Sequence, residues 1–334
     1  MFTIFVIMIR LVISNQTNPY LNIAVENYLL SLPETEAVTM YLWKNHRTVV
    51  IGQNQNPFAE CNVDLLESEG GYLMRRKTGG GAVYHDQGNL NFSFVAPKSL
   101  YDQTKQFSVL QQAVGQFGLY TEVSGRNDVL CRDHEGAMRK FSGNAFNKNR
   151  YQDLHHGTIL IKGNIDDLQR YLLVKPAKLH KHGVESVRSR VVNLSELADI
   201  TSENIVMPLI GSFEKVYGEK AELLDFSALC KKEEVVKLAS EFASDEWRLG
   251  RWRSFQSQKT AQFSWGGVEM SLDVDQTKGV ITSVQIATDS LSVSISELAE
   301  QILTGGSIHQ APDMPLSVSE EEKAMLQDIF SLVY

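Results

Sequence analysis

The chain has 334 residues, 43% of them hydrophobic and 22% charged, with a formal net charge of -8 at pH 7. That length suits one large and one small domain around a sizeable core, and the acidic balance excludes a general nucleic-acid binder. Three widely spaced cysteines, Cys61, Cys131 and Cys230, with no CxxC pair, exclude a disulfide scaffold or zinc site and fit a reducing cytoplasm.

The apolar start lacks a basic leader, is broken by Arg10 and has no small-residue cleavage site. Residues 1–7 therefore read as an N-terminal extension, with Met8 as the start and Ile9–Ile13 as the first strand. No segment reaches the roughly 18 apolar residues of a membrane span. Asn18 and Pro19 open a helix, as cap and first-turn proline, with an apolar stripe at Leu21, Val25, Tyr28 and Leu29. Strands are expected at Thr39–Trp43 and Thr48–Ile51, then a polar loop over Gln53–Pro57 and a helix over Asp64–Glu69. Tyr72–Arg76, Ala82–Tyr84 and Leu90–Val95 read as strands. Phe107, Leu110, Val114 and Phe117 have helical spacing, with Gly118 as the stop.

Three strands are then expected at Asn127–Arg132, Lys140–Asn147 and Leu154–Ile161, followed by a helix over Asp166–Leu173 and a basic stretch from Lys175 to Arg190. Ile205, Leu209, Phe213 and Val216 mark a helix ended by Gly218. Residues 219–245 read as a polar helical connector. Beyond Trp247 the texture changes. Val268, Met270, Leu272 and Val274 alternate, and a turn at Asp275–Gly279 leads to Val280–Ile286, which makes a hairpin. Ser294 with Glu297, and Ser319 with Glu322, are capping-box patterns opening two helices. Strands and helices mix without strict alternation. The expected fold is α+β, a mixed, largely antiparallel sheet flanked by helices, plus a small C-terminal α+β domain. The expected domains are 8–245 and 246–334.

Four constellations carry chemistry. The first is Arg75-Arg76-Lys77-Thr78-Gly79-Gly80-Gly81-Ala82-Val83-Tyr84-His85-Asp86. Three glycines let the backbone approach a ligand, their N–H groups can cradle an anion, and two guanidiniums can fork onto phosphate or carboxylate. A plain hairpin turn is the competing reading. Neither a Walker loop nor a dinucleotide fingerprint is present. In Arg139-Lys140-Phe141-Ser142-Gly143-Asn144-Ala145, the Lys140 ammonium stands beside small residues and could neutralise developing charge, or could be a solvated edge lysine. In Ser124-Gly125-Arg126-Asn127-Asp128, Asn127 and Asp128 could hold a ligand or Mg²⁺, or form an ordinary turn. His155 and His156 are adjacent in a strand and point to opposite faces, which disfavours a shared metal.

Together, and in this order, these motifs resemble the lipoate-protein ligase A family of the biotin/lipoate ligase superfamily. The resemblance continues through His155-His156-Gly157-Thr158-Ile159-Leu160 and Val187–Leu194, then Phe263-Ser264-Trp265-Gly266-Gly267-Val268-Glu269 and Thr288–Leu291. It implies a cytoplasmic enzyme that joins lipoate and MgATP into lipoyl-AMP with release of pyrophosphate. The lipoyl group then passes to a lysine of an apo lipoyl domain, on a 2-oxoacid dehydrogenase E2 subunit or the glycine-cleavage H protein. It implies no nucleic-acid or membrane partner. It carries the adenylate to Arg76 and the backbone of Gly81, Ala82, Val83 and Tyr84, and the lipoyl carbonyl and α-phosphate to Lys140. Arg75, His85, Asn127, Ser142 and His156 become wall residues, and Asp128 the Mg²⁺-side carboxylate. It also implies that removing residues from about 247 onward spares the binding pocket but impairs coupling of the two steps.

Octanoyl transfer from a carrier protein is the nearest rival. It needs a cysteine nucleophile, and Cys131 reads instead as a buried strand position. Biotin ligation lacks its arginine-glycine loop. A non-catalytic lipoate or adenylate binder is opposed by intact Lys140 and Arg76. Lys77 is open between a third phosphate cation and a solvent-facing side chain.

Overall fold

The computed structural model describes residues 7–33, 36–125, 127–173, 191–250, 254–290, 292 and 294–334. The expected basic stretch Lys175–Arg190, Arg126, Leu291 and the first part of the Val187–Leu194 motif lie outside them. The chain forms two compact units, one ending at Arg248 and one running from Leu249 to Tyr334.

In the first unit β1 (Met8–Ile13), α1 (Pro19–Ser31), β2 (Ala37–Trp43) and β3 (Thr48–Ile51) lead to the short helices α2 (Pro57–Glu60) and α3 (Val63–Ser68). Then come β4 (Tyr72–Arg75), β5 (Val83–His85), β6 (Asn89–Pro97), α4 (Gln103–Gly115), β7 (Thr121–Ser124), β8 (Asp128–Arg132), β9 (Met138–Lys148), β10 (Gln152–Leu160) and α5 (Ile165–Tyr171). After a 3-10 turn at Leu194–Glu196 follow α6 (Val206–Tyr217), β11 (Ala221–Leu224), α7 (Phe226–Cys230), α8 (Glu233–Ala243) and α9 (Asp245–Arg248). The Asn18 side chain caps α1 by accepting from the Tyr20 and Leu21 N–H groups at 2.9 and 3.3 Å. Gly218 ends α6 in the left-handed region at φ 79°.

The main sheet has eight strands in the order β11-β1-β2-β6-β10-β9-β8-β7. The two pairs β11–β1 and β1–β2 are parallel and the rest antiparallel, so the sheet is mixed and largely antiparallel. Strand alternation divides two cores between its faces. Met40, Leu42, Phe92 and Phe94 pack on one face with α4 and α6; Tyr41, Trp43, Val95 and Leu154 pack on the other with α1, α7 and α8. A three-stranded sheet, β4-β3-β5, joins the second face through Val50, Met74 and Val83. Every residue of β2 is buried, as a strand covered on both faces requires.

Two expectations change here. Residues 219–245 are no connector. Their strand β11 extends the main sheet, and Phe226, Val235 and Phe242 are buried in the second core. Helix α1 is buried nearly all round, so the stripe read from its sequence omits Ile23 and Glu26, which are both buried.

In the second unit β12 (Ser254–Phe263), β13 (Gly266–Asp275) and β14 (Val280–Thr288) form an antiparallel sheet covered by α10 (Ile295–Leu303) and α11 (Glu320–Phe330). Val268, Met270, Leu272 and Val274 face that core. Ser319 and Glu322 form the expected capping box, whereas the Ser294 side chain makes no cap hydrogen bond because its backbone is already helical at φ -85°, ψ -12°.

Candidate active site

A cleft of about 730 Å³, counting its open mouth, lies in the first unit between the second face of the main sheet and the small sheet. On the small sheet Val83 pairs with Val50 and His85 with Thr48, so Val83 and His85 share one face while Tyr84 takes the other. Val83 and His85 accordingly line the cleft, and the Tyr84 ring leaves it to pack on Tyr171. Ile23, Trp43, Val50 and Met74 make an apolar wall.

The glycine turn forms the cleft's rim. Gly80 has φ 97°, a conformation that favours glycine, and a Cβ at Gly52 would stand 2.4 Å from the Gly80 carbonyl oxygen. Among the described residues, none of the N–H groups of Gly79, Gly80, Gly81 and Ala82 reaches an acceptor. The turn is organised from beneath by Arg76. Its Nη2 donates to the carbonyls of Gly79 and Gly81 at 2.7 and 2.8 Å, its Nη1 to Val50, and its Nε to the Thr78 hydroxyl at 3.0 Å. Burial pulls the Arg76 guanidinium down to about 10, partly offset by the Glu26 carboxylate.

Behind the turn runs a buried polar chain. Thr78 Oγ1 lies 2.9 Å from His156 Nε2, and His156 Nδ1 lies 2.9 Å from Glu26 Oε2, which also accepts from the Ser93 hydroxyl. The Trp43 indole donates to Ser93 Oγ at 3.1 Å. Each group has a partner if the proton of a neutral His156 sits on Nδ1 and faces Glu26, while Thr78 donates to Nε2.

Lysine 140 enters from the main sheet through a β-bulge. Leu130 pairs with Lys140 but Val129 pairs with Ser142, so Phe141 is the extra residue and turns into the first core. The bulge changes the parity of the strand: Lys140, Gly143 and Ala145 line the cleft, while Ser142 does not. Lys140 lies over Gly143, where a Cβ would stand 2.9 Å from the ammonium nitrogen. Its ammonium pairs with Asp128 at 2.7 Å, both side chains about a third exposed.

The structure therefore brings Arg76, Gly81, Ala82, Val83, His85, Asn127, Lys140 and His156 to one cleft. It leaves Arg75 and the side chain of Tyr84 outside. Arg75 is buried, 5% exposed, and its donors are spent on carbonyl oxygens of Gly52, Gln53, Gln55, Trp247 and Arg248. Ser142 is buried and accepts from the Asn144 amide. Lys77 takes neither expected course: its ammonium stands 5.2 and 5.6 Å from the ring centroids of Phe242 and Trp247.

The two histidines diverge as expected. His155 turns to the other face, amid Phe92, Phe94, Phe107 and Phe146, where burial lowers it to about 3. His85 is lowered to about 3 by burial and by Arg76. Its tautomer follows from its neighbours. Asn22 donates to Asn45 Oδ1, so the Asn45 amide nitrogen faces His85 Nδ1, which must accept, and the proton sits on Nε2. That Nε2 is buried and has no partner among the described residues. Cys131 is buried in the first core, and burial pushes its thiol up to about 11, which removes it as a nucleophile. Among the described residues no cluster of three or more metal-ligating side chains occurs.

Ile23, Trp43, Met74 and Asn91, which line the cleft, and Glu26, which lies behind it, are residues that sequence reading missed. Glu26 alone left a signal, an acid on the buried side of an apolar helix.

The chain joins a bare glycine turn, a lysine on a bulged strand and an apolar slot on one mixed sheet, and it belongs to the lipoyl protein ligase A/B family. The family model described as the lipoyl protein ligase A/B catalytic domain matches residues 18–214, and that of the bacterial lipoate protein ligase C-terminus matches residues 253–311. Within the family the chain is an enzyme of the lipoate-protein ligase A kind. It is similar to lipoate-protein ligase A of Psychrobacter cryohalolentis, 37% identical over 303 residues that cover 88% of this chain and 87% of that one. Among solved structures it is similar to Plasmodium falciparum LipL1 in complex with lipoate, with TM-score 0.63 and 27% identity over 97% of this chain and 98% of that one. A bipartite lipoate protein ligase of Thermoplasma acidophilum, from a structural analysis of that ligase and its E2 lipoyl domain, gives TM-score 0.61 and 26% identity over 73% and 97% of the two chains. A lipoate-protein ligase A bound with ATP gives TM-score 0.59 and 25% identity over 73% and 99%.

Proposed function

We propose that this enzyme activates lipoate with ATP and passes the lipoyl group to a lysine of an apo lipoyl domain, on a 2-oxoacid dehydrogenase E2 subunit or the glycine-cleavage H protein. The observation that carries the reading is the placement of the Lys140 ammonium and the unsatisfied Gly79–Ala82 N–H groups around one apolar slot. An acyl-adenylate needs that combination, because it joins an anionic phosphate to an apolar tail. Relatives bound to lipoate and to ATP support both halves.

In the first step a lipoate carboxylate oxygen bonds to the α-phosphorus, and the bond to the pyrophosphate oxygen breaks. Anion meets anion there, so fixed positive charge lowers the barrier. Lys140 is assigned to the α-phosphate and the lipoyl carbonyl oxygen, with the glycine-turn N–H groups and Arg76 beneath them. The His85 Nε2–H is a buried cleft donor with no partner among the described residues and is assigned to the ligand. In the second step the acceptor amine attacks the acyl carbon, AMP leaves with the bonding electrons, and the amine loses a proton. Lys140 opposes the charge on the carbonyl oxygen in that step too. Asn127 walls the cleft. A magnesium ion would be held by phosphate oxygens and water, with Asp128 as the carboxylate offered to it beside Lys140. Its chemistry would be charge neutralisation. Three unpaired cysteines suit a reducing cytoplasm.

The test supplies ATP, lipoate and an apo lipoyl domain and follows pyrophosphate and acceptor mass together. Pyrophosphate release that needs both lipoate and ATP, with an acceptor mass gain of one lipoyl group, is the expected result. Ligand binding without pyrophosphate would reduce the protein to a binder.

A further inference from the structure

Arg75 and Arg76 are adjacent, but only Arg76 faces the cleft. Arg75 uses all three guanidinium nitrogens on main-chain carbonyls. Its Nη1 donates to Gly52, Gln53 and Gln55 at 3.3, 2.9 and 2.7 Å. Its Nε donates to Trp247 and Arg248 at 3.0 and 3.1 Å, and its Nη2 to Arg248 at 2.9 Å. The Trp247 indole returns a bond to the Arg75 carbonyl at 2.8 Å. Lys77 stacks its ammonium on the same tryptophan.

These partners belong to two places. The 52–55 turn underlies the glycine turn: Gly52 abuts Gly80, the Gln53 N–H donates to the Thr78 carbonyl at 2.9 Å, and the Gln55 side chain holds the Gly52 N–H at 2.8 Å. Trp247 and Arg248 are the last two residues of α9, at the end of the first unit, and helix-end carbonyls lie beyond the intrahelical ladder.

We propose that Arg75 is a positioning residue that fixes the glycine turn by clasping the 52–55 turn to the Trp247–Arg248 carbonyls. It does not touch the ligand. The cation satisfies five carbonyls at once, which lysine, a point charge with three donors, cannot reproduce. Arg76 then holds the top of the turn and Arg75 its base. This rests on the assignment of ATP to the glycine turn, but its structural half can be tested without ATP.

The experiment compares full-length wild type with Arg75→Lys, Trp247→Phe and the double variant. Amide hydrogen exchange of Gly52, Gln53 and Gln55, whose N–H groups are hydrogen-bonded within the clasped turn, is read without ligand, and KM for ATP and for lipoate is read from pyrophosphate release. Trp247→Phe keeps an aromatic ring but deletes the indole N–H together with the five-membered ring that carries it. Faster exchange in the turn is expected for both single variants, with KM for ATP raised roughly tenfold, as loss of a charge-assisted contact would give. KM for lipoate should stay within about twofold, and the double variant should be no worse than Arg75→Lys, because both act through one clasp. Wild-type exchange and KM in Trp247→Phe, or additive losses in the double variant, would overturn the proposal and make Arg75 a direct ligand contact. Altered exchange with no ATP-dependent activity in any form would leave the clasp standing and remove the ATP assignment instead.

Discussion

The hydroxyl of Thr78 stands 2.9 Å from Nε2 of His156 and ties the glycine turn to the centre of the main sheet. Through it, Arg76 at the rim and Glu26 in the buried helix share one chain of hydrogen bonds. Thr78→Val keeps the shape and removes the link. The expected cost is about 1–3 kcal/mol, because His156 Nε2 and Arg76 Nε lose a buried partner. Urea unfolding measures it, and a loss below the error of that measurement would show the chain to be idle.

Lys140→Ala should lower pyrophosphate release by about 10²–10³-fold while leaving the melting temperature near wild type, since the ammonium is partly solvated and its loss costs charge stabilisation rather than packing. Single-turnover assays with lipoate and ATP read this, and near-normal rates would remove Lys140 from its role.

Gly143→Ala and Gly157→Ala should part company. The added methyl at Gly143 meets the flexible end of Lys140 at 2.9 and 3.0 Å, so the ammonium moves and activity falls with little change in stability. At Gly157 it meets the Gly143 carbonyl oxygen at 2.8 Å and the Phe92 ring at 2.8 Å, which cannot yield cheaply. That variant should lose about 1–3 kcal/mol of stability. Equal melting temperatures for the two would contradict the geometry.

Acid should weaken the fold through His85 and His155. Both fall from an ordinary 6.5 to about 3 because burial disfavours the cation. The unfolded chain therefore binds more protons between those values. Stability is full above pH 6.5 and declines as pH drops toward 3, with a slope of up to about 1.4 kcal/mol per pH unit for each histidine. Unfolding free energies across that range in wild type and His155→Gln provide the check, and a shallower slope is expected in the variant.

Truncation has to respect α9. A chain ending at Arg248 keeps the Arg75 clasp, whereas one ending at Ala243 strips Arg75 of Trp247 and Arg248. The shorter chain should melt lower and bind ATP more weakly. A cut at about residue 247, expected to spare the pocket, would take carbonyl partners from Arg75, which lies outside the cleft. Indistinguishable melting of the two chains would show the clasp to be unimportant for stability.

The sequence by itself determined much of this protein. Alternating strands, the caps at Asn18 and Ser319, and the stop at Gly218 are local features of side-chain pattern and backbone preference, and they fell where the chain placed them. The glycine turn, Lys140 and the opposed histidines were legible as chemistry, and the order of the motifs named the family. What sequence could not supply was parity and partnership. The bulge at Phe141, which turns Lys140 and Gly143 to one side and Ser142 to the other, has no local signature. The burial of Glu26 against His156, the membership of β11 in the main sheet, and the capture of Arg75 by carbonyls 172 and 173 residues away depend on contacts between distant segments. Those are fixed by which buried polar groups can find partners, and only the folded chain decides that.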